Sequence, residues 1–212
     1  MSGSDDLSRL APPDIWDQFS RQFLRLNEDI QFGVAQDDAE LEAVFRLRYA
    51  TVIEKGWGQP ADFPDSLECD VYDERAIQIV GRNREGAIIA TGRVVLPTPG
   101  ARLPTEDFFD LIIEPYQQVV DVGRGIVTTG NRSHQIFLGL MSQSWIEVRQ
   151  RGYCEICATM TKSMLRLYRR MDIPLTVLGN SRPYWNEQRF PCKFDLEGTV
   201  QAYLAHHRNM LP

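Results

Sequence analysis

The sequence predicts an α/β (α+β) fold in one piece. Two observations carry this. Runs with apolar residues at helical spacing alternate along the chain with runs that read like strands, and no internal repeat or low-complexity linker divides them. A chain of 212 residues is long enough for one ordinary domain with a sizeable core.

The first element is a helix over residues 13–27, where Ile15, Phe19, Phe23 and Leu26 share one face. I-Q-F-G-V then alternates as a first strand, and Asp37 and Asp38 supply an N-cap and a first-turn charge for a helix through E-L-E-A-V-F-R-L-R-Y. Two further strands, R-A-I-Q-I-V-G-R and A-I-I-A-T-G-R-V-V-L, are joined by N-R-E-G, a hairpin-length connection. V-V-D-V-G-R-G-I-V is a fourth strand. A helix over 134–151 follows, with Phe137, Leu140, Met141, Trp145 and Val148 as its core stripe. Then come a strand over 153–159, a helix over 161–171 and a strand over 174–179.

Charge and motifs exclude several classes. A formal net charge of −6 argues against nucleic acid, whose phosphates need a concentrated basic surface. There is no G-x-S-x-G elbow, no G-x-x-x-x-G-K-[ST] and no G-x-G-x-x-G, so a hydrolase or a kinase is not expected. Cys154 and Cys157, in C-E-I-C, read as free cysteines on a strand, pointing to opposite faces, and no metal is expected. The start, M-S-G-S-D-D, lacks the basic and apolar regions of a signal peptide, and no apolar run is long enough to span a bilayer. The cytoplasm is the expected compartment.

The candidate chemistry begins at E-C-D-V-Y-D, residues 68–73. Asp70 and Asp73, three apart, can hold a cationic amine, with Glu68 on the loop's outer side and Tyr72 either beneath the site or capping the next strand. Arg93 and Arg124, near strand ends, can fix those carboxylates as bidentate pairs or receive an acceptor's carboxylate. A structural ion-pair network under a loop is the competing account, and the two roles can coexist.

The motifs occur in a fixed order. L-R-Y-A-T-V-I-E-K-G-W (47–57), E-C-D-V-Y-D, a strand ending in Arg93, L-P-T-P-G (96–100), F-F-D-L (108–111) and D-V-G-R (121–124) follow one another. This series resembles the acyl-homoserine-lactone synthases, the autoinducer synthases of quorum sensing, over roughly residues 45–180. The element order is likewise similar to that of GNAT-like acyltransferases. The resemblance implies a three-layer sandwich, with a mixed central sheet flanked by helices, over residues 28–212. Residues 1–27 would be an extension whose helix covers the core or serves a dimer. It also implies transfer of a fatty acyl group from acyl carrier protein, or acyl-CoA, to S-adenosylmethionine, both as substrates, with no permanently bound cofactor. The functional set it implies is Arg48, Trp57, Asp70, Asp73, Arg93, Asp121 and Arg124.

Three departures stand out. Val52 occupies the place of a second aromatic, V-V-L-P follows Arg93, and Asp121 replaces a glutamate. A second branch, the bacterial N-acyl amino acid synthases and exosortase-associated acyltransferases, is similar in A-T-M-T-K-S-M-L-R-L-Y-R-R-M (158–171) and R-F-P-C (189–192). It implies a different amine acceptor for the same reaction. A scaffold that binds an acyl group or carrier protein without turnover is the non-catalytic alternative.

The donor reading rests on T-T-G-N-R-S-H-Q, which carries one glycine where coenzyme A users carry a glycine-rich turn. That favours acyl carrier protein. Arg149, Arg151, Lys162, Arg166, Arg169 and Arg170 form a local basic cluster that can dock this acidic partner, or simply solvated helix faces. An apolar slot for the acyl tail is expected between the sheet and the helices at 134–151 and 161–171, with Met141, Trp145, Met160 and Met164 as candidates, all of which core packing also explains, and with Phe108 at the substrate. Thr159 and Thr161 lie near where the family tunes acyl-chain oxidation state.

Overall fold

The computed structural model describes residues 10–25, 29–128, 130 and 134–207. Its eight strands are β1 (Gln31–Val34), β2 (Ala76–Arg82), β3 (Ile88–Val95), β4 (Val119–Val127), β5 (Glu155–Thr161), β6 (Leu175–Val177), β7 (Arg182–Tyr184) and β8 (Glu187–Phe194). Among the described residues six α-helices accompany them: α1 (Pro12–Arg25), α2 (Asp38–Glu54), α3 (Pro104–Phe109), α4 (His134–Gln150), α5 (Lys162–Arg170) and α6 (Leu196–His207).

The strands form one sheet in the order β1-β2-β3-β4-β5-β8-β6, with β7 paired to β8. β4 and β5 run parallel and every other pair runs antiparallel, so the sheet is mixed. Strand alternation sorts its side chains. Ile77, Ile79, Val94 and Val120 face Ile136, Leu140 and Val148 of α4 in the largest core cluster. A second cluster packs Ala158 and Met160 of β5 against Leu165 and Tyr168 of α5. On the opposite face, Gln78, Arg93 and Asp121 make a buried polar stripe, covered from α2 by Arg48.

Two features of β4 create the site. Its pairing with β5 covers only Val119–Asp121, although β4 continues to Val127 and β5 to Thr161. The strands therefore part beyond Asp121, and backbone groups on that edge of β4 lose their sheet partner. β4 also carries a bulge. Thr91 and Arg93 of β3 oppose Ile126 and Gly123, which places an extra residue on β4, and Arg124 sits at φ 53°.

Local signals explain most boundaries. The Asp37 carboxylate accepts from the Glu40 N–H at 2.9 Å and starts α2 as expected. The Thr161 hydroxyl accepts from the Met164 N–H, so β5 extends to Thr161 and α5 starts one residue later than the spacing suggests. β5 begins at Glu155, which leaves Cys154 ahead of the strand, beside Arg149, while Cys157 is buried. The hairpin β7–β8 and helix α6 were not foreseen. Trp185 and Asn186, both at positive φ, form its two-residue turn. Leu26, the 27/28 boundary and half of T-T-G-N-R-S-H-Q lie outside the described residues. No described helix is long and apolar enough to cross a membrane.

Candidate active site

The acidic stretch 68–73 folds as a tight loop ahead of β2. The Asp73 N–H donates to the Asp70 carbonyl at 3.0 Å, and the Asp70 N–H returns to Asp73 Oδ2 at 2.9 Å. Three arginines from three different elements meet its three carboxylates. Arg93 Nη1 donates to Asp70 Oδ1 at 2.6 Å and lies 3.2 Å from Asp73 Oδ2. Arg48 Nη1 donates to Asp73 Oδ1 at 2.9 Å and its Nη2 to Gln78 Oε1, while Gln78 Nε2 donates to Asp73 Oδ1 at 2.8 Å. Arg124 donates from Nε to Glu68 at 2.9 Å and from Nη2 to Asp70 Oδ2 at 3.0 Å.

Burial divides these six side chains. Arg48, Glu68, Asp73 and Arg93 are almost wholly enclosed, whereas the Asp70 side chain is 29% exposed. Burial works to raise the Asp73 pKa, but the Arg48 and Arg93 guanidiniums together outweigh it and hold the carboxyl below its ordinary range. Burial likewise works against the Arg124 charge, yet Glu68, Tyr184 and Asp70 raise its pKa overall. Asp121 lacks such a paired arginine. Its Oδ2 accepts from the Thr105 N–H at 2.7 Å, and burial pushes its carboxyl up.

A cavity of about 370 Å³ opens where β4 and β5 part. Asp70, Arg93, Asp121, Arg124 and Thr159 line it, together with Trp57, Phe108, Tyr184 and Trp185. The aromatic rings pack on one another: Trp57 and Trp185 stack at 5.7 Å, Tyr184 and Trp185 at 5.2 Å, and Phe108 meets Tyr184 edge-on at 4.7 Å. The Arg124 guanidinium lies 4.5 Å from the Trp185 ring centre. Asn186 Nδ2 ties the hairpin to the Gly56 carbonyl at 2.9 Å, beside Trp57.

Several expectations change. Glu68 is 2% exposed and faces inward, because Arg124 and Arg48 both claim it; it is not on the loop's outer side. Asp73 and Arg48 do not reach the cavity, since the network uses both. Val52 is fully buried in α2, and the enclosing aromatics come instead from Tyr184 and Trp185. Tyr72 lines the cavity, and its hydroxyl donates to Asp107 at 2.6 Å. Thr161 is used as the α5 cap and lies outside the lining.

Met141 and Trp145 line a different, more apolar cavity of about 500 Å³, whose other walls include Trp16, Phe19 and Phe23 of α1 and Leu196 of α6. The two cavities share no lining residue. Arg149 is turned away from solvent partners by Asp14 and Asp17 of α1, at 3.1 and 3.2 Å, and Arg151 pairs with Glu147 at 2.6 Å. Lys162, Arg166, Arg169 and Arg170 stay exposed on α5. The basic cluster is therefore smaller than the sequence suggests.

Tyr184, Trp185 and Arg189 are among the cavity residues that sequence reasoning missed. The one signal available was Asn186, a residue that tolerates positive φ, between R-P-Y and E-Q-R; the residue before it, Trp185, is not a usual turn residue.

A family model described as N-acyl amino acid synthase FeeM matches residues 43–186. The chain belongs to this family. The match takes in the acidic loop, Arg93, the bulge and the turn at Trp185. Among solved structures, the acyl-homoserine-lactone synthase LasI is 17% identical, covering 82% of this chain and 92% of its own, with a TM-score of 0.64. A CoA-dependent acyl-homoserine lactone synthase, BjaI with MTA, is 21% identical over 82% of this chain and 84% of its own, at 0.65. An acyl-CoA N-acyltransferase from Pseudomonas aeruginosa is 13% identical over 77% and 98%, at 0.56. These likenesses show a shared GNAT-like fold. The comparison with curated proteins gives no match. By family and fold, this FeeM-family chain is an acyltransferase.

Proposed function

We propose that the chain transfers a fatty acyl group from an acyl carrier protein thioester to the amine of S-adenosylmethionine in the cytoplasm, and that an acyl-homoserine lactone is the product. The observation that carries this reading is the exposed edge of Asp70, held between Arg93 and Arg124 under the aromatic wall of Trp57, Phe108, Tyr184 and Trp185. A carboxylate beside aromatic faces attracts a sulfonium or ammonium group. The amine attacks the thioester carbonyl, the C–S bond breaks, and the carrier's thiol leaves. Asp121, the cavity carboxyl raised by burial, is suited to take the amine's proton, directly or through a water. Backbone groups of β4 beyond Asp121, free of β5, are available to polarise the carbonyl oxygen. Closure of the acceptor's carboxylate onto the carbon bearing sulfur then expels methylthioadenosine. The acyl tail is assigned to the apolar cavity at Met141 and Trp145, and carrier docking to Lys162, Arg166, Arg169 and Arg170 of α5.

Family membership favours a second acceptor, a free amino acid, with the same transfer and no ring closure. Mass spectrometry of lipid extracts from cells overproducing the wild type and Asp70→Ala separates the readings. Acyl-homoserine lactones present only with wild type support the first, and acylated amino acids move the assignment to the second. If neither extract holds a new acyl amide, and purified protein stays silent with varied acyl carriers and amines, the catalytic reading is lost to the binding scaffold.

A further inference from the structure

The arginines around the cavity differ in how their charge is met. Arg48, Arg93 and Arg124 share Glu68, Asp70 and Asp73, a closed set of three cations and three anions. Arg189 of β8 stands outside that set. It donates from Nη2 to Glu187 at 2.9 Å, but the Glu187 side chain is 41% exposed and is not part of the cavity lining. Arg189 does line the cavity. Its Nε is buried without a hydrogen-bond partner, as are those of Arg48 and Arg93, so what sets Arg189 apart is its charge: a cavity guanidinium paired with one half-exposed carboxylate keeps donors for an incoming anion.

The fold aims this side chain by register. Pro191 of β8 pairs with Thr159 and Arg189 with Thr161, so Arg189 and Pro191 share one face of the strand with the cavity residue Thr159. The guanidinium lies 5.4 Å from the Trp57 ring centre, which fixes its plane over an apolar surface. Burial first, and the nearby Arg124 charge as well, hold the Arg189 pKa below its usual value despite the opposing pull of Glu187 and Tyr184. An anion placed beside Arg189 would relieve both effects.

We infer that Arg189 binds the carboxylate of an α-amino acid acceptor whose amine is oriented at Asp70, across the opening between β4 and β5. This rests on the acyl-transfer reading and deepens it. S-adenosylmethionine and free amino acids both carry the required carboxylate, whereas simple amines and polyamines do not. The site thus selects α-amino acids as a class.

Isothermal titration of the purified full chain tests this with paired probes: S-adenosylmethionine against its decarboxylated form, and each common amino acid against its carboxamide. Turnover with an acyl thioester is followed in parallel. Wild type is expected to bind the carboxylate form at least about tenfold more tightly, the span of one charged hydrogen-bond pair. Arg189→Met, which keeps the contact with Trp57, should erase the preference. Arg189→Lys should retain part of it, and it carries the test if the methionine variant does not fold. The inference is overturned if wild type binds both forms equally or binds neither, or if a folded Arg189 variant keeps the full preference. Carboxylate-selective binding that depends on Arg189, with no acyl amide formed, would leave this inference standing and remove the transfer reading. Equal acylation of both forms would do the reverse.

Discussion

Arg124 Nη2 meets Asp70 Oδ2 at 3.0 Å, and this contact joins a bulge in β4 to the acidic loop ahead of β2. Arg124 occupies the left-handed region at φ 53°, a conformation that costs a non-glycine residue roughly 1–2 kcal/mol. Its guanidinium also serves buried Glu68 at 2.8 Å. The strained backbone is therefore held in place by what the side chain reaches.

That relationship sets the outcome of Arg124→Gly. Glycine removes the backbone strain but leaves Glu68 with only Arg48, at 3.8 Å. Breaking a buried pair costs about 3–5 kcal/mol, which exceeds the strain recovered. Urea denaturation should show a net loss of stability. A midpoint equal to or above wild type would mean that Glu68 is satisfied without Arg124.

Asp70 and Asp73 are three residues apart and should behave differently. Asp70 is partly open to the cavity, so Asp70→Asn should lower turnover by about 10²-fold with a melting temperature within a few degrees of wild type. Asp73 is closed in by Arg48, Arg93 and Gln78, and Asp73→Asn should cost about 3–5 kcal/mol. The pKa of Asp73 is depressed in the folded chain, so its contribution is present above the unfolded carboxylate value near 3.9 and is lost as pH falls below it. A pH series of thermal melts on both variants reads the two effects separately.

The strand and helix order could be read in the sequence because periodicity is local, and the acidic loop, Arg93 and Arg124 were found because they lie in an ordered motif series. The inward turn of Glu68 was hidden. A loop has no side-chain period, so nothing in E-C-D-V-Y-D says which carboxylate faces which arginine. Arg149 was misread for a similar reason: its partners Asp14 and Asp17 lie more than 130 residues earlier, on a helix outside the motif series. Tyr184 and Trp185 were missed because the turn that presents them uses a tryptophan at φ 48° in place of the usual glycine or asparagine.

Asp121 should titrate upward from the ordinary carboxylate range. Between the unfolded value near 3.9 and its raised folded value, the folded chain binds the extra proton, so stability falls as pH rises. Asp121→Asn removes this penalty while keeping an oxygen for the Thr105 N–H. The variant should melt a few degrees above wild type at pH 7 and no higher at pH 4, with turnover reduced. A stability gain that is the same at both pH values would contradict a protonation origin.

Charge reversal separates docking from packing. Arg166→Glu and Arg169→Glu lie on the exposed face of α5 and should raise KM for a carrier-bound donor, an effect that shrinks with added salt and is absent for an acyl-CoA donor. Arg149→Glu should instead lower the melting temperature, because it faces Asp14 and Asp17. A carrier KM that ignores both the Arg166 and the Arg169 change would remove α5 as the docking surface.

The apolar cavity beneath α1 makes the acyl tail testable. Ser142 is 4% exposed and lines it beside Met141 and Trp145. Ser142→Phe places a ring in about 500 Å³ of existing space, so the overpacking cost of about 1–3 kcal/mol seen in filled cores should not arise. If the tail lies here, products of the variant shift to shorter chains while total turnover on short donors persists. Mass spectrometry with a ladder of acyl donors gives the answer. A higher melting temperature with an unchanged chain-length profile would mean that the ring fills a purely structural void, and the tail would then have to fit within the 370 Å³ between β4 and β5.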